Sequence, residues 1–295
     1  MKTKFLLPIL LVLQCCKAQP IAQTAKNEAG QTLLWEITGK DLQKPSYLFG
    51  TFHMMCKDDI RFSDNLLTAF NNSKEVYFEM DLDDVSNTLG AMMYMNMKDG
   101  KTLKDLYTEI EYSKLQSFFK DSLKTNIVMF QKMKPSFLEA FLYPKMLSCK
   151  NMSGVEQELL KLAGKENKEV RGFETIAFQA SVFDSIPYEK QAKSLLTTID
   201  SLDNYKVFFD KMVKVYLSQQ LSGIEAMFND DQFGMKDGLE MLLDKRNQNW
   251  VAQLKTILPK TNIFMAVGAG HLVGKEGLIA LLRKEGYTVK PMVNY

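Results

Sequence analysis

The chain contains two histidines, and each stands three residues after a glycine. In both copies an apolar run typical of a buried strand stops at the glycine, at Gly50 before His53 and at Gly268 before His271. Imidazole ligates transition metals and transfers protons near neutral pH. The repeated G-x-x-H pattern therefore predicts one site, built by both histidines, for metal binding or proton transfer.

The two glycines also indicate how the histidines are positioned. Glycine can take the backbone angles that turn a chain sharply, and side chains that follow a central strand project over the carboxyl edge of an α/β sheet, where such folds bind ligands. If both strands are central, His53 and His271 meet at that edge. For one copy alone, a turn or a core histidine is the simpler interpretation, but two copies favour a functional site.

Other polar side chains stand where the same edge could use them. Glu79 ends an apolar strand, where a carboxylate is costly unless it is paired, bound to a metal or open to a cleft. Glu174 ends another predicted strand. Arg246 and Asn247 interrupt an amphipathic helix, which suits binding of an oxyanion or a carboxylate, although an exposed turn of helix explains them equally well.

The order of the predicted elements indicates the fold class. A hairpin is predicted over 32–37 and 46–49, and a strand–helix–strand unit over 47–80 places Glu79 on the edge that carries His53. A helix over 154–164 is predicted to end at a Gly164 C-cap. Further predictions are helical blocks at 85–147 and 175–257, strands at 168–173, 262–267 and 287–293, and a helix at 275–285. The predicted fold is mixed α/β, with a central mixed β-sheet, flanking helices and large helical insertions, in one domain over residues 19–295.

The first eighteen residues are typical of an export signal. Lys2 and Lys4 precede the apolar run 5–13, and small residues at Cys16 and Ala18 fit the positions that a signal peptidase recognises. Cleavage near Ala18-Gln19 would place the mature protein in the periplasm or outside the cell. A lipoprotein is less favoured, because the residues before the two early cysteines are not very small.

Two cysteines remain after this segment, Cys56 and Cys149. An oxidising compartment permits a disulfide between them. Cys56 lies three residues after His53, so the alternative is a thiol near the site. We favour a structural role, either bridged or buried.

Composition excludes several classes of protein. Across 295 residues, 46% are hydrophobic and 24% are charged, the profile of a soluble globular domain. The formal net charge of +2 comes from interleaved acids and bases, which argues against a nucleic-acid partner. Beyond the export signal, no stretch reaches the roughly eighteen apolar residues that a membrane span needs. Composition leaves the oligomeric state open.

Five segments of the chain together resemble the TraB/GumN family in order and spacing, over nearly the whole mature chain. They are residues 50–53, 76–81, 172–175, 246–247 and 267–274. The segment 76–81 is especially similar to the Tiki branch, whose animal members are metal-dependent proteases acting on Wnt proteins. The wider superfamily includes erythromycin esterase and ChaN-like haem-binding proteins, and implies a mixed α/β core with helical insertions.

The resemblance implies a metallopeptidase-like site at His53, Glu79 and His271, with Arg246 and Asn247 as neighbours. Three kinds of function remain open. The first is a metal-dependent hydrolase of peptides or proteins, in which Mn²⁺, Co²⁺ or Zn²⁺ bound by these three residues activates a water. The second is a metal-independent hydrolase with one histidine as general base, oriented by Glu79. The third is a binding module for haem or a peptide.

In the first kind of function the remaining candidate residues support the substrate or the site. They are Asn247, Glu174, Gly50 and Gly268, while Arg246 is counted with the catalytic residues.

Overall fold

The computed structural model describes residues 31–40, 42–83, 94–230 and 239–295. The predicted export signal over 1–18 and the first part of the helical block predicted over 85–147 lie outside these residues, and both stay predictions. Within the described ranges, none of the helices has both the length and the apolar character that a membrane crossing requires.

Eight strands and eleven α-helices are described in chain order. The strands are β1 Leu34–Thr38, β2 Ser46–Thr51, β3 Met55–Cys56, β4 Glu75–Met80, β5 Met152–Ser153, β6 Glu169–Glu174, β7 Ile263–Gly268 and β8 Thr288–Pro291. The helices are α1 Asp64–Asn72, α2 Glu109–Asp121, α3 Pro135–Leu138, α4 Tyr143–Met146, α5 Val155–Lys165, α6 Ile176–Phe183, α7 Tyr188–Asp200, α8 Leu202–Leu217, α9 Leu221–Phe228, α10 Lys245–Ile257 and α11 Leu278–Lys284. Short 3₁₀ turns occur at Lys57–Asp59, Leu103–Asp105, Ile127–Phe130, Glu139–Leu142 and Ala269–Leu272, and a π-helical turn at Glu240–Asp244.

Six of the strands form one mixed sheet in the order β6-β4-β7-β2-β1-β8. Strands β6, β4, β7 and β2 are parallel to one another, whereas β1 runs antiparallel to both β2 and β8. The four parallel strands therefore end at one common edge. This arrangement confirms the predicted mixed α/β fold.

Both faces of the sheet are covered by helices, and this explains the apolar runs in the parallel strands. On one face, Phe49 and Phe264 pack with side chains of α1, α5, α7 and α8. On the other face, Leu48 and Met265 pack with side chains of α10 and α11. Neighbouring residues of a strand point to opposite faces, so each central strand contributes to both cores.

The local signals in the sequence account for several element boundaries. The hairpin of β1 and β2 pairs as predicted, with Trp35 opposite Leu48. Helix α1 begins after Ser63, whose side chain accepts a hydrogen bond from the N–H of Leu66.

The predicted C-cap at Gly164 is wrong. Helix α5 continues through this glycine to Lys165, and the left-handed residue that ends the turn is Asn167, with φ of 51°. The N–H of Lys168 then bonds the carbonyl of Ala163. Asparagine tolerates the left-handed region and can take the position usually given to glycine.

Cys56 and Cys149 are joined by a disulfide, with their Cα atoms 5.7 Å apart. The bond lies beside the small sheet of β3 and β5, in which Met55 pairs with Ser153. Both cysteines are therefore structural, and the alternative of a free thiol beside His53 is excluded in this state.

Candidate active site

The carboxyl edge of the four parallel strands brings the predicted polar residues together. Glu79 and Glu174 lie at the ends of β4 and β6, and Gly268 ends β7. His53 follows β2 by two residues, and His271 lies on the 3₁₀ turn after β7. Strand β7 lies between β2 and β4, so the two histidines and Glu79 come from three adjacent strands.

Gly50 and Gly268 are required for close packing and not for a turn, contrary to the backbone argument made from the sequence. Neither adopts a positive φ. A Cβ at Gly268 would lie 3.2 Å from Oε1 of Glu79 and 3.5 Å from Nε2 of His53. A Cβ at Gly50 would lie 3.1 Å from side-chain atoms of Leu33 and Leu272. The missing side chain of Gly268 therefore leaves a space that the predicted site residues surround.

Arg246 is the hub of a buried ion-pair network. Its Nη2 donates to Oε2 of Glu79 at 2.6 Å and to Oε2 of Glu174 at 2.8 Å. Its Nε donates to the same Glu174 carboxylate at 3.0 Å, and its Nη1 donates to the carbonyl of Leu242 at 2.9 Å. Leu242 belongs to the π-helical turn directly before α10, which aims the guanidinium at the sheet edge. Such turns often occur at functional sites.

Arg246 and Asn247 are buried, with 8% and 1% of their surfaces exposed. The alternative that they form an exposed turn of helix is therefore wrong. Trp250, one turn further along α10, packs against the same group of residues. The centre of its ring lies 4.9 Å from the Arg246 guanidinium carbon and 4.4 Å from the centre of the His271 ring. Its indole N–H also donates to Glu174 at 2.8 Å.

Asn247 fixes the protonation of His271. The Asn247 amide nitrogen donates to two backbone carbonyls, so its Oδ1 is the atom that faces Nδ1 of His271 at 2.7 Å. The histidine therefore carries its proton on Nδ1 and presents an unprotonated Nε2 to Arg246 at 3.3 Å. Burial, helped by the charges of Arg246 and His53, lowers the pKa of His271 to about 3 even though Glu79 opposes this. His271 is neutral at physiological pH.

His53 has the opposite character. Its Nδ1 lies 2.6 Å from Oε1 of Glu156, which also accepts a hydrogen bond from the Thr51 hydroxyl. Desolvation would lower the pKa of His53, but the charge and hydrogen bond of Glu156, together with Glu79, raise it to about 9. Water screens the charges of Glu156 and Glu79 and so reduces this rise in pKa, because 68% of the His53 side chain is exposed. The Nε2 atom faces the space beside Gly268.

Glu79 is held as a carboxylate. Burial would raise its pKa, but the charges of His53 and Arg246 and the hydrogen bond from the Gly268 N–H lower it below its ordinary value of 4.5. Because His271 is neutral, the positive charge beside Glu79 comes from Arg246 and His53. The Gly268 N–H donates to Oε1 at 2.9 Å, and Nε2 of His271 lies 3.6 Å from the same oxygen.

Two contributors to this network were not predicted. Gln179 donates to both Glu79 and Glu174, at 3.3 and 3.2 Å. Glu156 lies in the first turn of α5, where an acidic residue is already explained by the helix dipole. No signal in the sequence distinguishes either residue from a helix surface position, because the link to the site is made only by the tertiary fold.

The donor set suits a divalent transition metal by chemical type. Two imidazoles and one carboxylate surround the space left by Gly268, and a transition metal binds both kinds of group. As the side chains lie, both oxygens of Glu79 are hydrogen-bonded, and Arg246 contacts Nε2 of His271. Within the part of the chain that is described, no three His, Cys, Asp or Glu side chains stand in the geometry of a metal site.

A cavity of about 330 Å³ opens over this network. His53, Glu79, Arg246 and His271 contribute polar groups, while apolar side chains of α6 and α9 form other parts of the wall. A cleft with a few convergent polar groups is the usual form of an active site.

Comparison with known proteins identifies relatives of the chain. A family model described as the TraB/PrgY/gumN family matches residues 33–291. Metalloprotease TIKI1 of Xenopus tropicalis is 22% identical, covering 90% of this chain and 62% of the relative. Metalloprotease TIKI homolog of Nematostella vectensis is 24% identical, with 83% and 64% covered, and Metalloprotease TIKI1 of Homo sapiens is 23% identical, with 88% and 61% covered.

The chain spans less than two thirds of the length of these relatives. No solved structure matches it significantly. The family match nevertheless runs from before β1 to the end of β8, and so includes every strand of the sheet and every residue of the polar network described above. The chain therefore belongs to the TraB/PrgY/gumN family.

Proposed function

We propose that the chain is a hydrolase of peptide bonds, with His53, Glu79 and His271 at its centre. One observation carries the proposal: two imidazoles and a carboxylate from three adjacent strands surround the same space beside Gly268, and a cavity of about 330 Å³ opens over them. Relatives named metalloproteases support the reaction class. Their substrates are proteins or peptides by name, and we infer the same substrate class for this chain.

We infer that His53, Glu79 and His271 hold a divalent ion such as Mn²⁺, Co²⁺ or Zn²⁺. When bound, the ion would supply a Lewis acid that makes water nucleophilic near neutral pH. The protein's own residues set the conditions for this. Asn247 keeps Nε2 of His271 unprotonated, Glu156 orients His53, and Glu174 holds Arg246 beside Glu79. Arg246 is then placed to bind a substrate carbonyl or the oxyanion that develops from it.

A metal-independent hydrolase is the second candidate, because Arg246 already neutralises Glu79. In that mechanism one histidine accepts a proton from water and later gives it to the leaving amine. His53, whose side chain is 68% exposed, suits this role better than His271, whose pKa of about 3 makes it a weak base. The carboxylate that orients His53 is Glu156 and not Glu79, which differs from the arrangement expected from the sequence.

Metal analysis coupled to a peptide-library digest tests these proposals. We expect the purified protein to retain a divalent ion, and His53→Ala, Glu79→Gln and His271→Ala each to lose both the ion and hydrolysis, because two remaining ligands hold a divalent ion poorly. Asp83→Ala, an exposed residue beyond β4, is the control and should lose neither.

The outcomes separate the candidates. Hydrolysis that survives complete removal of metal by a chelator would favour the metal-independent mechanism. Normal turnover in His271→Ala, with loss in His53→Ala, would show that the two histidines do not share a site. Absence of hydrolysis in the metal-loaded protein, across the whole library, would overturn the proposed function.

A further inference from the structure

A second cavity, which we call the apolar pocket, adjoins the polar cleft. Its volume is about 210 Å³. Its wall is formed chiefly by Phe52, Phe209, Met212, Tyr216, Ile224 and Phe228. The two cavities share four lining residues, namely His53, Gly268, Gly270 and Phe228. A molecule that occupies the polar cleft can therefore extend into the apolar pocket without leaving the protein surface.

Aromatic contacts connect the side chains that form the wall of the apolar pocket. The ring of Phe52 lies 5.2 Å from that of Tyr216 and 5.8 Å from that of Phe209, in the tilted and edge-on arrangements that aromatic pairs prefer. The Tyr216 hydroxyl donates to the carbonyl of Gly50 at 3.0 Å. Its hydrogen-bonding capacity is thus used inside the protein, and the ring offers the pocket an apolar face.

Gly270 determines the boundary between the two cavities. A Cβ at this position would lie 2.5 Å from a ring carbon of Phe228, so a larger residue would displace that ring. The tip of the Phe228 ring therefore reaches the 3₁₀ turn that carries His271, and Phe228 lines both cavities.

We propose that the apolar pocket binds a large apolar side chain, of the Leu, Met or Phe class, from the substrate residue directly flanking the scissile peptide bond. This rests on the proposed function. Adjacent residues of an extended peptide are about 3.8 Å apart at Cα. A carbonyl held beside His53 and Glu79 therefore places a neighbouring side chain at the mouth of the apolar pocket.

The size and polarity of the pocket select this occupant. A volume of about 210 Å³ accommodates one side chain, whereas sites for larger cofactors or drug-sized ligands begin near 300 Å³. Of the described residues that line it, His53 is the one that can carry a charge near neutral pH, and it lies at the shared boundary. A charged substrate side chain would lose its hydration there without gaining a partner.

Two substitutions of Met212 test the assignment in opposite directions. Met212 lines the pocket but is only partly buried, so both variants should fold. In peptides varied on each side of the scissile bond, the wild type should prefer Leu, Met or Phe over Gly at one flanking position by roughly tenfold to a hundredfold in kcat/KM. Met212→Trp should lower kcat/KM for the Leu, Met and Phe peptides to the level of the Gly peptide, and so remove this preference. Met212→Ala should shift the preference toward Phe and Trp.

Controls separate a pocket effect from a folding effect. Met129 is 79% exposed, and Met129→Trp should leave both the preference and the melting temperature unchanged. Ligand-observed NMR with N-acetyl-leucinamide and N-acetyl-glycinamide measures binding to the pocket without catalysis. The leucine amide should bind the wild type, and Met212→Trp should block it.

The two readouts distinguish this assignment from the function on which it rests. Cleavage with no apolar preference at either flanking position, or a preference unchanged by Met212→Trp, would overturn the pocket assignment and leave the hydrolase in place. Binding of the leucine amide that Met212→Trp blocks, in a protein that cleaves no peptide, would support the pocket and overturn the hydrolase. Failure of both cleavage and amide binding would overturn both.

Discussion

The carboxylate of Glu156 governs the proton and the orientation of His53. It accepts the Nδ1 hydrogen bond at 2.6 Å and contributes most to the raised pKa of the imidazole. Groups that orient a ligand or a catalytic histidine typically contribute tenfold to a hundredfold to affinity or activity. We therefore expect Glu156→Gln to lower turnover by roughly that factor and to move the pKa of His53 down toward its ordinary value of 6.5.

NMR titration of chelator-treated protein measures this pKa directly. The chain has two histidines, and His271 stays neutral, so one imidazole should titrate, near pH 9 in the wild type and closer to 6.5 in Glu156→Gln. Glu166→Gln, at the exposed end of the same helix, is the matched control and should change neither quantity. An unchanged pKa of His53 in Glu156→Gln would mean that the hydrogen bond does not set its protonation.

Single residues differ widely in how far their sequence context predicts their place. His53 and His271 are predictable because histidine occurs nowhere else and each follows a strand-ending glycine. Glu79 is predictable because a carboxylate stands at the end of an apolar strand. Arg246 is ambiguous, because one polar turn on an amphipathic helix is compatible with burial and with exposure. Glu156 is not predictable at all, because helix-start acids are common for unrelated electrostatic reasons.

At the scale of elements, the small sheet of β3 and β5 ties the His53 segment to the start of α5. The N–H of Val155 bonds the carbonyl of Phe52, and the disulfide of Cys56 and Cys149 closes the same junction. The sequence predicted the strands that end in site residues, but it did not predict this junction, because two-residue strands have no periodicity to detect. The position of β7 between β2 and β4 also could not be predicted from local sequence patterns, because the packing of the whole chain decides the order of the strands.

Removing the disulfide should cost stability more than turnover. The double variant Cys56→Ala/Cys149→Ala should lower the free energy of unfolding by about 2–4 kcal/mol, since the bond closes a long loop in the unfolded chain. The strand pairing of β3 with β5 remains and still places Glu156 beside His53. Thermal unfolding with and without dithiothreitol is the measurement: the reductant should destabilise the wild type only. A variant that melts normally but has lost turnover would contradict the structural role.

On the scale of the whole molecule, both faces of the sheet are buried: α1, α5, α7 and α8 pack on one face, and α10 and α11 pack on the other. The sequence predicted the fold class because apolar runs of strand length alternate with helical patterns along the chain. It could not predict which ionisable side chains of the helical segments become partly buried. Glu139 is such a case: it lies on the turn after α3 and accepts a hydrogen bond from the Ser194 hydroxyl at 3.1 Å.

Glu139 should make the stability of the protein depend on pH. Burial raises its pKa from 4.5 to about 7, although the hydrogen bond from Ser194 opposes the rise. Between these two pH values the folded state keeps a proton that the unfolded chain has lost, so stability falls as the pH rises. The contribution of protonated Glu139 to the free energy of unfolding is complete below pH 4.5 and is lost as the pH passes 7. It amounts to at most about 3 kcal/mol.

Denaturant unfolding from pH 4.5 to pH 8 compares the wild type with Glu139→Gln. The glutamine cannot ionise, so the stability of the variant relative to the wild type should increase with pH, mostly between pH 4.5 and 7. Glu109→Gln, on the exposed start of α2, should follow the wild-type curve at every pH. If the wild type and Glu139→Gln differ by a constant amount across this range, Glu139 titrates at the same pH in the folded and unfolded chains, and the packing around α3 does not desolvate it.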